Sequence, residues 1–143
     1  MHVTIYHNPA CATSRNTLAL IHNAGIAPQV IDYLSETPDS ATLKNLIDRA
    51  GLSVRAAIRE KGTPFAALGL DDPALSDQAL LTAMVTHPIL INRPFVVTPE
   101  GVRLCRPSEL VLDILSLPQT GPFAKEDGEQ VIDADGRRVA PHA

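Results

Sequence analysis

The sequence has 143 residues, of which 45% are hydrophobic, a formal net charge of −4 and two cysteines. This length suits one domain with a hydrophobic core, and the acidic balance argues against a nucleic-acid surface that depends on bulk electrostatics. Two cysteines are too few for a disulfide scaffold, and we find neither a signal-peptide pattern nor an apolar run of the ~20 residues that cross a bilayer. We therefore expect a cytoplasmic protein with reduced cysteines and no contact with membranes.

The N-terminal part has the pattern of a strand–helix–strand unit. Residues 3–6 favour a strand because they are mostly β-branched or aromatic, and apolar residues at helical spacing follow. Thr13 and Ser14 are candidate N-caps for this helix, and Gly25 is suited to end it. Since residues 29–34 again favour a strand, the first two strands should be parallel neighbours.

The middle of the chain, from about residue 37 to 86, is predicted to be a helical insertion and not a separate domain. Helices are expected over 41–50, 54–60 and 76–85, each opened by a serine. No linker rich in glycine, serine or proline isolates this region from the rest of the chain.

The strand pattern returns in the C-terminal part, first at residues 89–91 and then at 95–98. A Pro-Glu-Gly turn joins the second of these to a hairpin partner at 102–105. A last helix is expected to begin at Pro107 and to end before Pro118.

We divide the chain into one domain of residues 1–118 and a polar tail of residues 119–143. The tail's charged composition predicts loose packing, with a short hairpin near residues 131–136. The order of the elements predicts an α/β fold: a mixed four-stranded sheet with a helical insertion between the second and third strands. A thioredoxin-like arrangement is the simplest fold with this order and a cysteine at the first strand-to-helix turn.

Cys11 lies in that turn. Unpaired N–H groups and the helix dipole favour an anion there, so they bind an oxyanion or stabilise a thiolate. His7 and Arg15 are expected to add positive charge to the same turn. A lone cysteine is more often a small buried hydrophobe, but this position is the one that thiolate activation requires. We therefore interpret Cys11 as a reactive thiol.

Three further arginines are candidates for oxyanion binding. Arg59 is expected late in a helix, whereas Arg93 and Arg106 precede prolines at strand ends, where loops place functional side chains. Each alone is more simply a solvated surface residue. Together with Cys11 and a helix N-terminus they favour thiol attack on an oxyanion, because a guanidinium binds such anions through two donors.

The spacing around Cys11 excludes two simpler thiol chemistries. A phosphatase loop needs C-x5-R, but Thr17 stands where the arginine would be. A dithiol oxidoreductase needs C-x-x-C, but Ser14 stands at the second cysteine position. An enzyme with one active thiol must take its second thiol from outside, for example from glutathione or a partner protein.

Five motifs cover much of the sequence. In chain order they are His7–Cys11, Thr13–Leu18, Gly51–Arg55, His87–Pro94 and Arg103–Glu109. Together they resemble the glutaredoxin-coupled arsenate reductase family, over nearly the whole chain. The resemblance implies a thioredoxin-like fold with a helical insertion, and reduction of arsenate to arsenite with glutathione and glutaredoxin as electron donors. We expect no metal and no tightly bound cofactor.

The same resemblance implies roles for particular residues. Cys11 matches the nucleophile that forms a thiol–arsenate adduct, and His7 matches the histidine that favours the thiolate. The three arginines at positions 59, 93 and 106 match the residues that bind the oxyanion.

Further site residues lie within the same motifs. Ser14 and Arg15 are expected to help bind the substrate, and Pro94 is expected to be a cis proline opposite the active thiol. Ala12 stands where the family often has glycine. Alanine at this position gives the backbone of the turn less conformational freedom than glycine would.

Cys105 is expected to face away from this site. Side chains alternate along a strand, so Val102 and Arg106 should share one side and Cys105 the other. Since Arg106 is proposed to reach the site, we interpret Cys105 as a small buried hydrophobe. This argument holds as long as the strand continues to Arg106 without a bulge.

One alternative belongs to a different functional class. Some thioredoxin-like relatives are regulators that bind RNA polymerase and carry out no reductase chemistry. A regulator does not need the cysteine and all three arginines together, and a redox-sensing one is expected to carry C-x-x-C. The combination therefore favours the reductase.

Overall fold

The computed structural model describes residues 2–139, with a mixed sheet of four strands at its centre in the order β2-β1-β3-β4. The strands are β1 (Thr4–His7), β2 (Gln29–Asp32), β3 (Phe95–Thr98) and β4 (Gly101–Leu104). β1 pairs in parallel with β2 and antiparallel with β3, which pairs antiparallel with β4. The mixed sheet predicted from the sequence is confirmed.

Helices pack on both faces of the sheet. They are the α-helices α1 (Ala12–Asn23), α2 (Ser40–Arg49) and α3 (Asp77–Thr86), and 3₁₀ helices at Arg55–Ala57, Pro88–Leu90 and Ser108–Ile114. α1 ends next to Gly25, whose φ of +77° suits the residue after a helix. Within residues 2–139, no helix combines the length and apolarity needed to cross a bilayer.

Alternate strand residues face two separate cores, as the two-residue period of a strand requires. The first core joins the sheet to the insertion, and its largest buried side chains include Tyr33, Phe95, Leu43, Leu80 and Met84. The second core joins the other face to α1 and the last 3₁₀ helix, and includes Ile5, Val96, Leu20, Ile21 and Val111.

Two of the predicted regular elements are wrong. Residues 88–90 form a 3₁₀ helix where a strand was expected, and only Ile91 pairs, in an isolated bridge with Ile58. The helix expected over 54–60 is a short 3₁₀ turn followed by extended chain. Arg59 follows this turn outside any helix, next to the bridge between Ile58 and Ile91, and its N–H donates to the Leu90 carbonyl at 2.7 Å.

The last predicted helix forms a 3₁₀ helix that ends at Ile114, before the predicted boundary at Pro118. Its first residue follows Pro107, whose peptide bond with Arg106 is cis. The Arg93–Pro94 peptide bond is also cis, as predicted. Only the second of these bonds was anticipated from the sequence.

The described part of the tail packs against α1, so the expectation of loose packing is wrong. The Thr120 N–H donates to the Asn23 carbonyl at 2.7 Å, and Val131 and Ile132 are buried in the second core. Short strands β5 (Phe123–Ala124) and β6 (Gln130–Ile132) form a hairpin, and a bridge between Ile132 and Arg138 closes the predicted turn near 131–136. A few apolar side chains anchor this otherwise polar segment. Residues 140–143 of the predicted tail lie outside the described range.

Replacing Ile132 with alanine is expected to lower the free energy of unfolding by about 2–5 kcal/mol, because the truncation leaves a cavity in a packed core. Ile132 is 2% exposed. Urea unfolding would measure the change. Val30→Ala is the control, since Val30 is 46% exposed on the edge strand and should shift stability by no more than about 0.5 kcal/mol. Equal midpoints for the two variants would contradict the packed tail.

Candidate active site

Cys11 lies at the N-terminal end of α1, directly before its first residue. Its backbone is extended, with φ −98° and ψ 121°, as is usual for the residue that precedes a helix. The Cys11 N–H donates to the Asn8 carbonyl at 3.0 Å, and the Ser14 backbone N–H favours the thiolate form of the sulfur and so lowers the pKa of Cys11. The expectation that Thr13 or Ser14 caps α1 is wrong, because the turn at Asn8 already starts the helix at residue 12.

Two arginines from distant parts of the sequence meet at Cys11. The Arg106 Nη1 lies 3.8 Å from the Cys11 Sγ and donates to the Arg93 carbonyl at 2.9 Å. The Arg93 guanidinium also lowers the pKa of Cys11, and its Nη1 donates to the Ile89 carbonyl at 3.0 Å. The sulfur is therefore flanked by a helix N-terminus and two guanidinium groups.

Arg59 lies beside the segment that leads to Arg93, through the backbone hydrogen bond to Leu90 described above. The Nε–H groups of Arg59 and Arg93 are both buried without a hydrogen-bond partner within residues 2–139. Buried donors without acceptors are uncommon in folded proteins. An oxyanion has the acceptors that such guanidinium donors lack, so this feature suits an anionic ligand.

Several groups act on the ionisation of Cys11. Burial of the sulfur opposes the thiolate, but the Ser14 N–H and the guanidinium groups of Arg93 and Arg106 outweigh it, so the pKa of Cys11 lies below that of an ordinary thiol. Cys11 is also partly exposed, which leaves the sulfur accessible to a reactant. These are the conditions for a reactive cysteine.

His7 contacts Ser14 and not the sulfur. Its Nδ1 lies 2.6 Å from the Ser14 Oγ, which also accepts a hydrogen bond from the Asn8 N–H at 3.0 Å. Burial lowers the pKa of His7, the Asp32 carboxylate opposes this shift and Arg15 adds to it. These contacts favour a neutral imidazole, in contrast to the positive charge that we expected at this position.

Arg15 points toward the tail. Its Nε and Nη2 donate to the two carboxylate oxygens of Glu126 at 2.8 and 2.9 Å, and its Nη1 donates to the Pro9 carbonyl at 2.9 Å. Most of its donors are therefore satisfied within the chain, and the substrate contact expected from the sequence stays a prediction. The guanidinium instead ties the Cys11 turn to the C-terminal hairpin.

Cys105 lies away from the site. Its sulfur is buried in the second core, whereas Val102 is in the first, so the two side chains face opposite sides of the sheet as predicted. The strand does not continue to Arg106, however, so strand alternation does not by itself place Arg106. Burial raises the pKa of the Cys105 thiol to about 12, and both cysteines are free. β4 ends at Leu104, and the Cys105 N–H donates to the Pro94 carbonyl at 2.9 Å.

The sequence interpretation missed two residues that shape the site. Asn8 and Tyr33 are buried, and the Asn8 Nδ2 donates to the Tyr33 hydroxyl at 3.1 Å. Asn8 carries a local signal, since it is a polar residue between a strand and Pro9. Tyr33 carries none, because in the sequence it is only one more residue of the strand predicted over 29–34. Within residues 2–139, no group of histidine, cysteine and acidic residues has the arrangement of a metal site.

A mixed sheet in this order, with one thiol at the turn after β1 and a cis proline before β3, defines a thioredoxin-like fold with a single cysteine at that turn. The ArsC family model matches residues 6–114, and the chain belongs to this family. The matched range includes Cys11 and the arginines at positions 59, 93 and 106.

Similar proteins of known name extend over nearly the whole chain. An arsenate reductase from Rhizobium meliloti (strain 1021) is 68% identical over 139 residues, which cover 97% of this chain and 99% of that protein. An arsenate reductase from Escherichia coli is 55% identical over 137 residues, 96% of this chain and 97% of the relative. The solved arsenate reductase from Vibrio cholerae is 52% identical, with a TM-score of 0.77 over 80% of this chain and 98% of that chain.

Cys11 is expected to titrate below the ordinary thiol value of about 8.5, because the helix N-terminus and the arginines stabilise its thiolate. Its ultraviolet thiolate absorbance, followed against pH, would measure the midpoint. Cys105 does not interfere, since it titrates far higher. In the His7→Ala variant, Cys11 should titrate at a higher pH than in the wild type, because the contact between His7 and Ser14 is lost. A wild-type midpoint at or above the ordinary value would contradict the activation of Cys11.

Proposed function

We propose that this chain is an arsenate reductase in which Cys11 is the nucleophile and glutathione and glutaredoxin supply the electrons. The observation that carries the proposal is the Cys11 sulfur itself, which has the Ser14 N–H and the Arg106 guanidinium directed at it. The names of the similar proteins support arsenate as the substrate. The resemblance of the motifs supports the electron donors.

Binding begins with the charge of the oxyanion. The guanidinium groups of Arg59, Arg93 and Arg106 are proposed to bind its oxygens, and the two open Nε–H donors support this role. Three cations around a dianion neutralise its charge, which allows an anionic thiolate to approach. Ser14 contributes its backbone N–H at the helix N-terminus, and we propose that its hydroxyl orients His7.

The chemistry proceeds in balanced steps. The Cys11 thiolate attacks arsenic, so that an S–As bond forms while an As–O bond breaks and its oxygen leaves as water after protonation. Glutathione thiolate then attacks the Cys11 sulfur. The new S–S bond releases the S–As electron pair to arsenic, which is reduced from As(V) to As(III) and leaves as arsenite. Glutaredoxin finally attacks the glutathione sulfur and returns Cys11 as a thiolate.

Neutral His7 is proposed to act indirectly. With the Ser14 Oγ already accepting from Asn8, the Ser14 hydroxyl proton is free to bind the His7 Nδ1, which keeps the Ser14 backbone facing the sulfur. Arg15 is proposed to support the Cys11 turn through its hydrogen bond to the Pro9 carbonyl. We propose the cytoplasm as the location of the protein, because its reducing conditions suit a free thiol.

The test is consumption of NADPH in an assay that couples the protein to glutathione, glutathione reductase and glutaredoxin. Addition of arsenate should start the consumption, and phosphate should not, because it has the same shape but is not reduced. No response to arsenate would refute the reductase and favour the regulator that binds RNA polymerase. A response that does not require glutaredoxin would refute only the proposed donor.

A further inference from the structure

Asn8 organises the turn that carries Cys11. It is 2% exposed, and both its backbone N–H and its backbone carbonyl form hydrogen bonds within the turn. Its N–H donates to the Ser14 Oγ at 3.0 Å, and its carbonyl accepts from the Cys11 N–H at 3.0 Å. Its side-chain Oδ1 accepts from the Ala10 N–H, also at 3.0 Å. The position of Cys11 therefore depends on how Asn8 is held.

The remaining polar group of Asn8 is held from outside the turn. Its Nδ2 donates to the hydroxyl of Tyr33, which directly follows β2 and is fully buried in the first core. The Thr37 Oγ1 donates to the Tyr33 carbonyl at 2.9 Å, so the backbone of Tyr33 is fixed as well. Since Ala10 already occupies the Oδ1, the Asn8 amide has one orientation that satisfies both partners.

We propose that Tyr33 is a positioning residue for the Cys11 thiol, and that it acts through the amide of Asn8. The inference rests on the proposed function, in which Cys11 is the nucleophile. A rigid ring packed in the core fixes Asn8, and Asn8 fixes the backbone N–H of Cys11 and the hydroxyl of Ser14. The sulfur is thereby kept in line with the Ser14 N–H and the arginines.

The Tyr33 hydroxyl interacts electrostatically with charged groups of the Cys11 site. Burial raises the pKa of Tyr33, while its interactions with Asn8 and Arg93 oppose this shift and those with Cys11 and Asp32 add to it. The hydroxyl is thus neutral at physiological pH and has no charge of its own to act on the sulfur. Its influence on Cys11 therefore passes through geometry.

Tyr33→Phe is expected to change the chemistry more than substrate binding. The substitution removes one oxygen from the core and leaves a buried Asn8 donor without an acceptor, so the turn relaxes. The charged groups that interact with the sulfur, Arg15, Arg93 and Arg106, all remain. We expect a higher Cys11 pKa, slower alkylation of Cys11 and a kcat lower by about 10- to 100-fold, with a smaller change in KM for arsenate.

The experiment compares four variants of the full chain: Tyr33→Phe, Asn8→Ala, the double variant and Tyr6→Phe. Iodoacetamide alkylation of Cys11 against pH gives both the reactivity and the pKa without arsenate, so it tests the inference even where the proposed function fails. Tyr6→Phe is the matched control because it removes a hydroxyl from the same sheet that makes no hydrogen bond within residues 2–139. Coupled turnover then separates kcat from KM.

The double variant separates positioning from general loss of structure. If Tyr33 acts through Asn8, Tyr33→Phe should add nothing in the Asn8→Ala background, whereas independent effects would add. Asn8→Ala alone should raise the Cys11 pKa, because it removes the hydrogen bond to Tyr33 and also the one from the Ala10 N–H to the Asn8 Oδ1. A wild-type alkylation profile for Tyr33→Phe, or equal effects of Tyr33→Phe in both backgrounds, would overturn the inference.

Discussion

Cys11→Ser should abolish arsenate turnover, with a fall in kcat of roughly 10³-fold or more, since loss of a catalytic nucleophile costs up to about 10⁶ in kcat. A serine hydroxyl at this position remains protonated, and it forms no disulfide with glutathione. The coupled assay measures the loss directly. Circular dichroism and urea unfolding should match the wild type, because the Cys11 side chain is partly exposed and belongs to neither core.

Cys105→Ala is the matched control for this prediction. The Cys105 sulfur is buried in the second core, on the face of the sheet opposite to the first core. The raised pKa of Cys105 keeps its thiol protonated. Turnover should therefore stay largely intact. When the reaction is trapped without glutaredoxin, mass spectrometry should find glutathione on Cys11. A dominant disulfide between Cys11 and Cys105 would show that the chain supplies its own second thiol, and the proposed mechanism would be wrong.

Local signals were sufficient for the elements that hold Cys11. The apolar spacing of α1, the suitability of Gly25 after a helix and the β-branched run of β1 each act within a few residues. The position of the thiol at a helix N-terminus followed from them. Even there the exact start of α1 was missed, because the hydrogen bond between Asn8 and Cys11 depends on a turn whose geometry the residue types do not specify.

Long-range contacts account for the remaining differences. The Arg59 N–H pairs with the Leu90 carbonyl instead of a partner within a helix, and residues 88–90 form a 3₁₀ helix instead of a strand. The bidentate contact of Arg15 with Glu126 joins residues 111 positions apart, and nothing near Arg15 in the sequence predicts it. The site therefore combines a locally encoded thiol with partners that only the folded chain brings to it.

Arg93→Lys and Arg106→Lys should each lower kcat/KM for arsenate by about 10²- to 10³-fold, which is the scale for removing one donor from a preorganised oxyanion site. Lysine keeps the positive charge but loses the planar fork that binds two oxygens of an anion. The Arg106 Nη1 already reaches both the Cys11 Sγ and the Arg93 carbonyl, so a single lysine nitrogen in its place has fewer donors left for the anion. Steady-state kinetics of the two variants would measure the effect.

The control for these variants is Arg103→Lys. Arg103 lies on β4, three residues from Arg106, but it pairs with Asp113 at 3.2 Å, away from the site. Its substitution should leave kinetics unchanged, and all three variants should keep the free energy of unfolding within about 1 kcal/mol. Because lysine preserves charge, the Cys11 pKa should also move little. Wild-type kinetics for Arg93→Lys and Arg106→Lys would show that positive charge alone is sufficient for arsenate turnover. If the lysine variants raised the Cys11 pKa as much as a neutral residue at the same position does, lysine would not reach the sulfur at all.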